Sequence, residues 1–436
     1  MMTRLRQITA WIQNKITHWL HIDLTKKSQR NGYYLIVEIF FATFLSAAAS
    51  FNAAYAIRLG AADENISFMT SIPALIAVII SIPAGKILQN TSRKKSLLVY
   101  ALGIHRSGYL LIVFAPFLQR LGLNSGALVT WMLILFMLPA QFFNIGFTSL
   151  TATIIKPEQR AAVFSFRNQI FFAVSALGAF LFGFWLDAVV FPLNYQIMYA
   201  AGFLISLISL FYVKKLELPE RPKTEQKPLK ETVSLQQRFH NLIKDFRDNP
   251  QFLRFNINTL LMDFGMWAIA PLFTIYYVND LGATESWLGL LTTLGSLANI
   301  FGFGLGRKFV NRLGRTKVLF YTALLRPIYP LVVAFFPNLT AIILVSAITG
   351  ILMPGLSLSH YSLMLDSTPN DKRDQFTAYY TMFQNISVFI APLIGAAVLQ
   401  LAGYKITFLI FGFIRLLGGL MWRILPVTQP EVNEKE

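Results

Sequence analysis

Residues 55–61 read YAIRLGA and residues 277–283 read YVNDLGA, 222 positions further along a chain of 436 residues. Leu59, Gly60, Ala61 and Thr70 return in register as Leu281, Gly282, Ala283 and Thr292, and Arg93 of a basic turn returns as Arg315. A second echo lies nearby, where Arg106-Ser-Gly-Tyr109 is matched by Arg326-Pro-Ile-Tyr329. Both copies stand in strongly apolar surroundings. A duplicated apolar chain predicts two similar membrane bundles, an arrangement whose polar chemistry lies between the halves.

Hydrophobic residues make up 55% of the chain and charged residues only 14%, where a soluble protein carries about a quarter charged. Mean hydropathy is +0.53. Stretches able to cross ~30 Å of hydrocarbon, about 20 residues each, recur twelve times. They are residues 33–57, 66–88, 96–118, 127–155, 162–186, 196–213, 256–278, 286–306, 318–336, 339–365, 376–401 and 406–425, here called spans 1 to 12. Lipid offers backbone groups no partner outside their own helix, so each span is predicted to be helical. The expected fold is an all-α membrane protein with twelve transmembrane helices in two pseudo-symmetric six-helix bundles. Residues 1–31 form an amphipathic N-terminal segment, 32–213 the first bundle, 214–254 a linker, 255–425 the second bundle and 426–436 a tail.

A net charge of +17 would suit nucleic acid, but its distribution points elsewhere. Of the 38 Lys and Arg, Arg58, Arg120 and Lys405 are assigned to loops on the far side, and Arg106, Arg326 and Arg415 to span interiors. The rest are assigned to the side of the termini, so by the positive-inside rule both termini are expected in the cytoplasm, in a bacterial inner membrane. No nucleic-acid partner is expected. There are no cysteines, which excludes disulfides and thiolate metal sites. Residues 1–31 lack a continuous apolar core and predict no cleavable signal peptide. Leu5, Ile8, Trp11, Ile12, Ile16, Trp19 and Leu20 instead predict a helix lying on the membrane surface. In the linker, Leu235, Phe239, Leu242, Ile243 and Phe246 repeat at the spacing of a second amphipathic helix.

The turn after span 2 reads GKILQNTSRKK, residues 85–95, and the turn after span 8 reads RKFVNRLGRTK, residues 307–317. Gly85, Arg93 and Lys94 in the first, and Arg312, Gly314 and Arg315 in the second, fit the loop signature of the major facilitator superfamily. The chain resembles that family over nearly its whole length. Gln89 and Asn311 stand where the signature has Asp, so its latch should be weaker or differently partnered. A second pair of turns follows spans 4 and 10, KPEQRAAVFSFRN (156–168) and STPNDKRDQFTAYYTMFQN (367–385). Each carries an Arg (Arg160, Arg373), then an Asn (Asn168, Asn385) ten residues before a Gly (Gly178, Gly395). The resemblance implies a gating role for Gly85, Gly314 and the basic residues Arg93, Lys94, Arg160, Arg312, Arg315 and Arg373. They would grip helix carbonyls or a facing carboxylate and hold the bundles together, the plainer reading being anchorage to anionic lipid. Pro139 and Pro354 are expected to interrupt spans 4 and 10. The antiporter pattern Gly-x-x-x-Gly-Pro-x-x-Gly is missing from span 5, where Gly178 and Gly183 lack the Pro.

Charge at bilayer depth costs roughly 2.5–3.5 kcal/mol per residue on insertion scales, so each case needs a reason. Glu38 lies in span 1, His105 and Arg106 in span 3, Asp263 in span 7, Arg326 in span 9 and Arg415 in span 12. At 1.5 Å per residue, Glu38 lies about 8 Å in, Arg106 about 15 Å, and Asp263 and Arg326 about 12 Å. Two pseudo-symmetric ion pairs are expected, Glu38–Arg106 and Asp263–Arg326, either fixing helix packing or tuning a carboxylate for proton coupling. In the family that the chain resembles, spans 1, 4, 7 and 10 line the cavity. Asn52 and Tyr55, Gln141 and Asn144, Trp267 and Tyr276, and Ser359 and His360 are therefore the cavity candidates, each competing with a plain interhelical hydrogen bond or packing role.

No cluster has metal-ligand spacing and no nucleophile–base motif appears, so neither catalysis nor a cofactor is expected. The resemblance implies a secondary active transporter that moves a small molecule by alternating access, as a monomer among membrane lipids. Proton-coupled efflux is the preferred form. Lipid or lysolipid flipping, suited to 39 Phe, is the alternative within transport. A non-transporting membrane sensor is the alternative outside it.

Overall fold

The computed structural model describes residues 24–91, 93–218, 235–369 and 372–427. The surface helix expected between Leu5 and Leu20 lies outside the described residues. Within them the regular structure is entirely helical. Ten helices are long and apolar enough to cross a membrane. The longest bends at Gly403, φ 73°, and makes two passes. Lys94–Ile112, which carries Arg106, supplies span 3. Twelve passes result.

Spans 1 and 7 are both broken near the same depth. Span 1 runs Lys27–Ala49 and resumes as Asn52–Arg58. Span 7 runs Pro250–Trp267, resumes as Ala270–Ile275 and ends in a five-residue π-helical turn, Tyr276–Asp280. Spans 4 and 10, by contrast, are continuous over Ser125–Ile154 and Leu339–Asp366, with Pro139 and Pro354 inside them. The expected interruption there does not occur. A single Pro removes one backbone hydrogen bond, a loss that a long helix can carry without ending.

Glycines set the closest approaches. A Cβ on Gly178 of span 5 would lie 2.7 Å from Ala47 of span 1, and one on Gly395 of span 11 would lie 1.8 Å from the Ala268 carbonyl of span 7. The two motif glycines thus press their helices onto the broken spans. Gly60 and Gly282, the repeated glycines of LGA, have φ of 83° and 62°. Only glycine enters that left-handed region without strain, which is why the motif keeps it.

The halves meet through span 2 against span 11 and span 5 against span 8. The largest apolar core, containing Tyr55, Tyr195, Tyr277 and Phe408, joins both halves at the end away from the linker. Toward the linker each half keeps its own core, one around Leu98 and Leu150 and one around Phe255 and Leu363. The expected linker helix is present as Leu235–Asp248. Its Asp245 accepts from Lys372 (3.1 Å), Gln375 (2.8 Å) and Tyr379 (3.1 Å), which docks it on the start of span 11.

Candidate functional site

Glu38 is 4% exposed. Its carboxylate accepts from Arg167 of span 5 at 2.9 Å, and Arg167 also donates to the Leu35 carbonyl. Arg106 goes elsewhere, donating to the Ser206 carbonyl and the Ser209 hydroxyl of span 6. The expected pair Glu38–Arg106 is therefore corrected to Glu38–Arg167. By sequence Arg167 falls in the turn 156–168 and counts among the Lys and Arg on the side of the termini. The helix actually starts at Pro157, which puts Arg167 about 15 Å along it, at 1.5 Å per residue. Phe147 of span 4 stacks its ring 5.5 Å from the same guanidinium.

In the second half, Asp263 has Gln384 of span 11 against its carboxylate, and both Arg326 and Arg415 act on it through space. Among the described residues no ion pair joins Asp263 to either arginine, so the expected Asp263–Arg326 pair is corrected to a looser group in which both arginines act on the carboxylate at longer range. Arg415 is 2% exposed, and its Nε has no hydrogen-bond partner. The repeat explains the arrangement. A constant offset of 209 aligns Tyr195, Tyr199 and Ser206 with Tyr404, Phe408 and Arg415. An offset of 217 aligns Arg167 with Gln384, alongside Asn168 and Asn385. Each half therefore holds one carboxylate and two arginines, the second arginine coming from span 5 in one half and span 12 in the other.

The cavity candidates divide. Tyr55 is fully buried, stacks on Tyr195 at 4.7 Å and donates to the Ile112 carbonyl at 3.3 Å. Asn52 accepts from Tyr199 at 2.9 Å and reaches Tyr109 at 3.5 Å. Tyr276 lies in the π turn, 4.7 Å from Tyr404. These three belong to aromatic packing in this conformation. His360 is hydrogen-bonded to Thr259 at 2.8 Å and enclosed by Phe255, Tyr380 and Trp422, also a packing role. Ser359 is buried, with its hydroxyl unpartnered. Trp267 ends the first segment of span 7. Asn144 is exposed and Gln141 half-buried on span 4.

Among the described residues the basic turns bond helices of their own half. Lys94 donates to Ser149 of span 4 at 2.8 Å. Arg315 bonds Ser362 and pairs with Asp366 of span 10 at 2.7 Å. Arg160 caps the Ile155 carbonyl at 3.1 Å. Arg93 is exposed, and Arg312 and Arg373 lie at the end of span 8 and the start of span 11. Gly314 turns the chain at φ 83°, whereas Gly85 sits inside the helix Asp63–Asn90. In this conformation these contacts brace neighbouring helices of one half.

The ties between bundles lie at the far end. Arg58 pairs with Glu285 at 3.0 Å and donates to the Ala283 carbonyl at 3.1 Å. Tyr195 donates to the same Glu285 carboxylate at 3.0 Å. Asp187, at the end of span 5, accepts from the Glu285 and Ser286 amides at 3.0 and 2.9 Å and so caps span 8. That location favours an anion, because the first amides of a helix have no internal partner. Gln400 donates to Glu64 at 2.6 Å. Gly183 and Gly289 let spans 5 and 8 touch, since a Cβ on Gly289 would lie 2.4 Å from the Ala179 carbonyl. The sequence marked none of these residues as a tie between bundles, although one signal existed. Arg58 of YAIRLGA is replaced in YVNDLGA by Asp280, an inversion of charge at a repeated position.

Two six-span bundles, each with a broken first span and a buried charge group, and sealed together at one end, define a membrane transporter architecture. The sequence profile of the Major Facilitator Superfamily matches residues 39–257 and again 255–436. The chain belongs to that superfamily and is a multi-pass integral membrane protein. It is similar to the quinolone resistance protein NorA of Staphylococcus aureus, 23% identical over 181 residues. The match takes in 41% of this chain and 45% of NorA, so it spans less than half of that relative. Its fold is shared with the nucleoside transporter NupG in a D323A mutant structure (12% identity, TM-score 0.68, 91% of this chain and 100% of that one). It is shared also with a bacterial homologue of the iron transporter ferroportin in an inward-facing state (14% identity, TM-score 0.69, 91% and 98%).

Proposed function

We propose that the protein is a secondary active transporter that carries a small molecule by alternating access, with both termini in the cytoplasm. The observation that carries this reading is the asymmetry of the interface. Among the described residues the hydrogen bonds and ion pairs between halves lie away from the linker, while the cores near the linker are separate. Such a molecule is shut on one side and divided on the other. Basic residues concentrated on the linker side support a cytoplasmic location for it, so the conformation is inward-facing in a bacterial inner membrane. Asn144, Thr148 and Ser357 are exposed on otherwise apolar spans. Polar groups gain nothing from lipid, which supports a wet cleft at spans 4 and 10.

Proton-coupled efflux is the preferred form, with Asp263 as the group that exchanges a proton against Arg326 and Arg415. The likeness to a resistance protein supports export, and an acid facing two arginines supplies a device that can switch. Purified protein in proteoliposomes, given a pH gradient and a panel of sugars, amino acids, drugs and lysolipids, tests the reading. Uphill movement of one class is expected. Movement of lysolipid alone would make it a flippase, and binding without flux a sensor.

A further inference from the structure

Spans 3 and 6 pack on spans 1, 4 and 5 of their own half. Between them a groove of about 540 Å³ opens on the outer face of the bundle, a volume in the range of ligand sites. We propose that this groove seats one anionic glycerophospholipid, its phosphate at Lys95 and Lys214 and one acyl chain running inward along span 3. The inference goes beyond transport and does not depend on it.

Three features carry it. The first is charge: Lys95 and Lys214 stand at the groove's linker end, and among the described residues no carboxylate lines it, while Glu217, whose charge reaches Lys95, is paired with Arg30. Lys95 donates to the Leu216 carbonyl at 3.1 Å, which holds its ammonium at the mouth, while Lys214 is exposed. The second is chemistry along the wall. Val99, Gly103 and Leu210 are apolar, and a Cβ built on Gly103 meets nothing within 4 Å. The missing side chain leaves the room that a chain would fill. The third is length. From Lys95 to Ser107, the innermost residue of the wall, the helix rises about 18 Å at 1.5 Å per residue. One leaflet of hydrocarbon is about 15 Å, half of ~30 Å. A free phosphate would match the lysines and leave the apolar wall bare, so a lipid is the occupant that uses both.

The test is native mass spectrometry of the full chain released from bilayers of phosphatidylcholine with phosphatidylglycerol. One phosphatidylglycerol is expected to remain bound in preference to phosphatidylcholine, and glycerol 3-phosphate is not expected to displace it. Lys214→Gln should weaken retention about fivefold, and Lys95→Gln with Lys214→Gln about 25-fold, as neutralising one and two lysines near anionic lipid implies. Gly103→Leu should abolish it while leaving the lysines in place. Equal retention of phosphatidylcholine, displacement by glycerol 3-phosphate, or undiminished retention in Gly103→Leu would each overturn the proposal. Lys214 is exposed and forms no hydrogen bond or ion pair among the described residues, so Lys214→Gln keeps the test valid if Lys95→Gln folds poorly.

Discussion

Arg167 and Glu38 are an ion pair nearly out of contact with water, with side chains 11% and 6% exposed. Removing one partner of such a pair strands the other, at a cost of about 3–5 kcal/mol, whereas removing both is far milder. Glu38→Gln should therefore lower the unfolding temperature sharply, and Glu38→Gln combined with Arg167→Gln should recover part of the loss. If Arg106→Gln gave the recovery instead, the pairing would be wrong. Asp263 is the residue on which the proposed coupling rests. Asp263→Asn should abolish uphill accumulation driven by a pH gradient in proteoliposomes and leave exchange intact. Unchanged accumulation would remove Asp263 from the coupling role.

At the scale of elements, glycine contacts rank the helix crossings. A Cβ at position 395 meets the Ala268 carbonyl at 1.8 Å, a backbone atom, while at 178 it meets only the Ala47 methyl at 2.7 Å. Overpacking costs about 1–3 kcal/mol, with backbone obstacles at the upper end. Gly395→Ala should thus lower thermal stability more than Gly178→Ala, as read by fluorescence unfolding in detergent, and the reverse order would contradict the packing. A second clamp joins the ends of spans 1 and 6. Glu217 accepts from Arg30 at 2.7 Å, and that bond holds its carboxyl below the usual carboxylate range. The contribution is present above the unfolded value of about 4.3 and fades as pH falls through the lower folded value. A stability difference between the native protein and Glu217→Gln should accordingly be visible at pH 7 and vanish in strong acid.

For the whole molecule, the far-end seal decides which side is open. Arg58 is 38% exposed in its side chain, so its pair with Glu285 contributes about 1 kcal/mol or less. That is enough to move a two-state population roughly fivefold. Because the chain has no cysteine, Asn144→Cys provides a unique label within the proposed cleft. Adding Arg58→Ala and Glu285→Gln should raise its labelling by an impermeant maleimide supplied from the far side about fivefold. No increase would show that the seal does not govern access.

Much of this was legible in the chain itself. Apolar runs of spanning length left helices as the only solution in lipid, and the LGA repeat revealed two halves because its glycine must adopt a left-handed turn. The carboxylates and most of the arginines at bilayer depth were visible too, since charge is rare there. Their partners were not. Which arginine meets Glu38 depends on where the helix before it begins and which face it presents, and a shift of one turn moves a side chain by about 5.4 Å. Arg58, Asp187, Tyr195 and Glu285 looked like loop-end residues until folding brought them together from spans 1, 5, 6 and 8. Local physics determined the helices and their duplication; contact between distant spans, which depends on the packing of two bundles, was decided only by the tertiary structure.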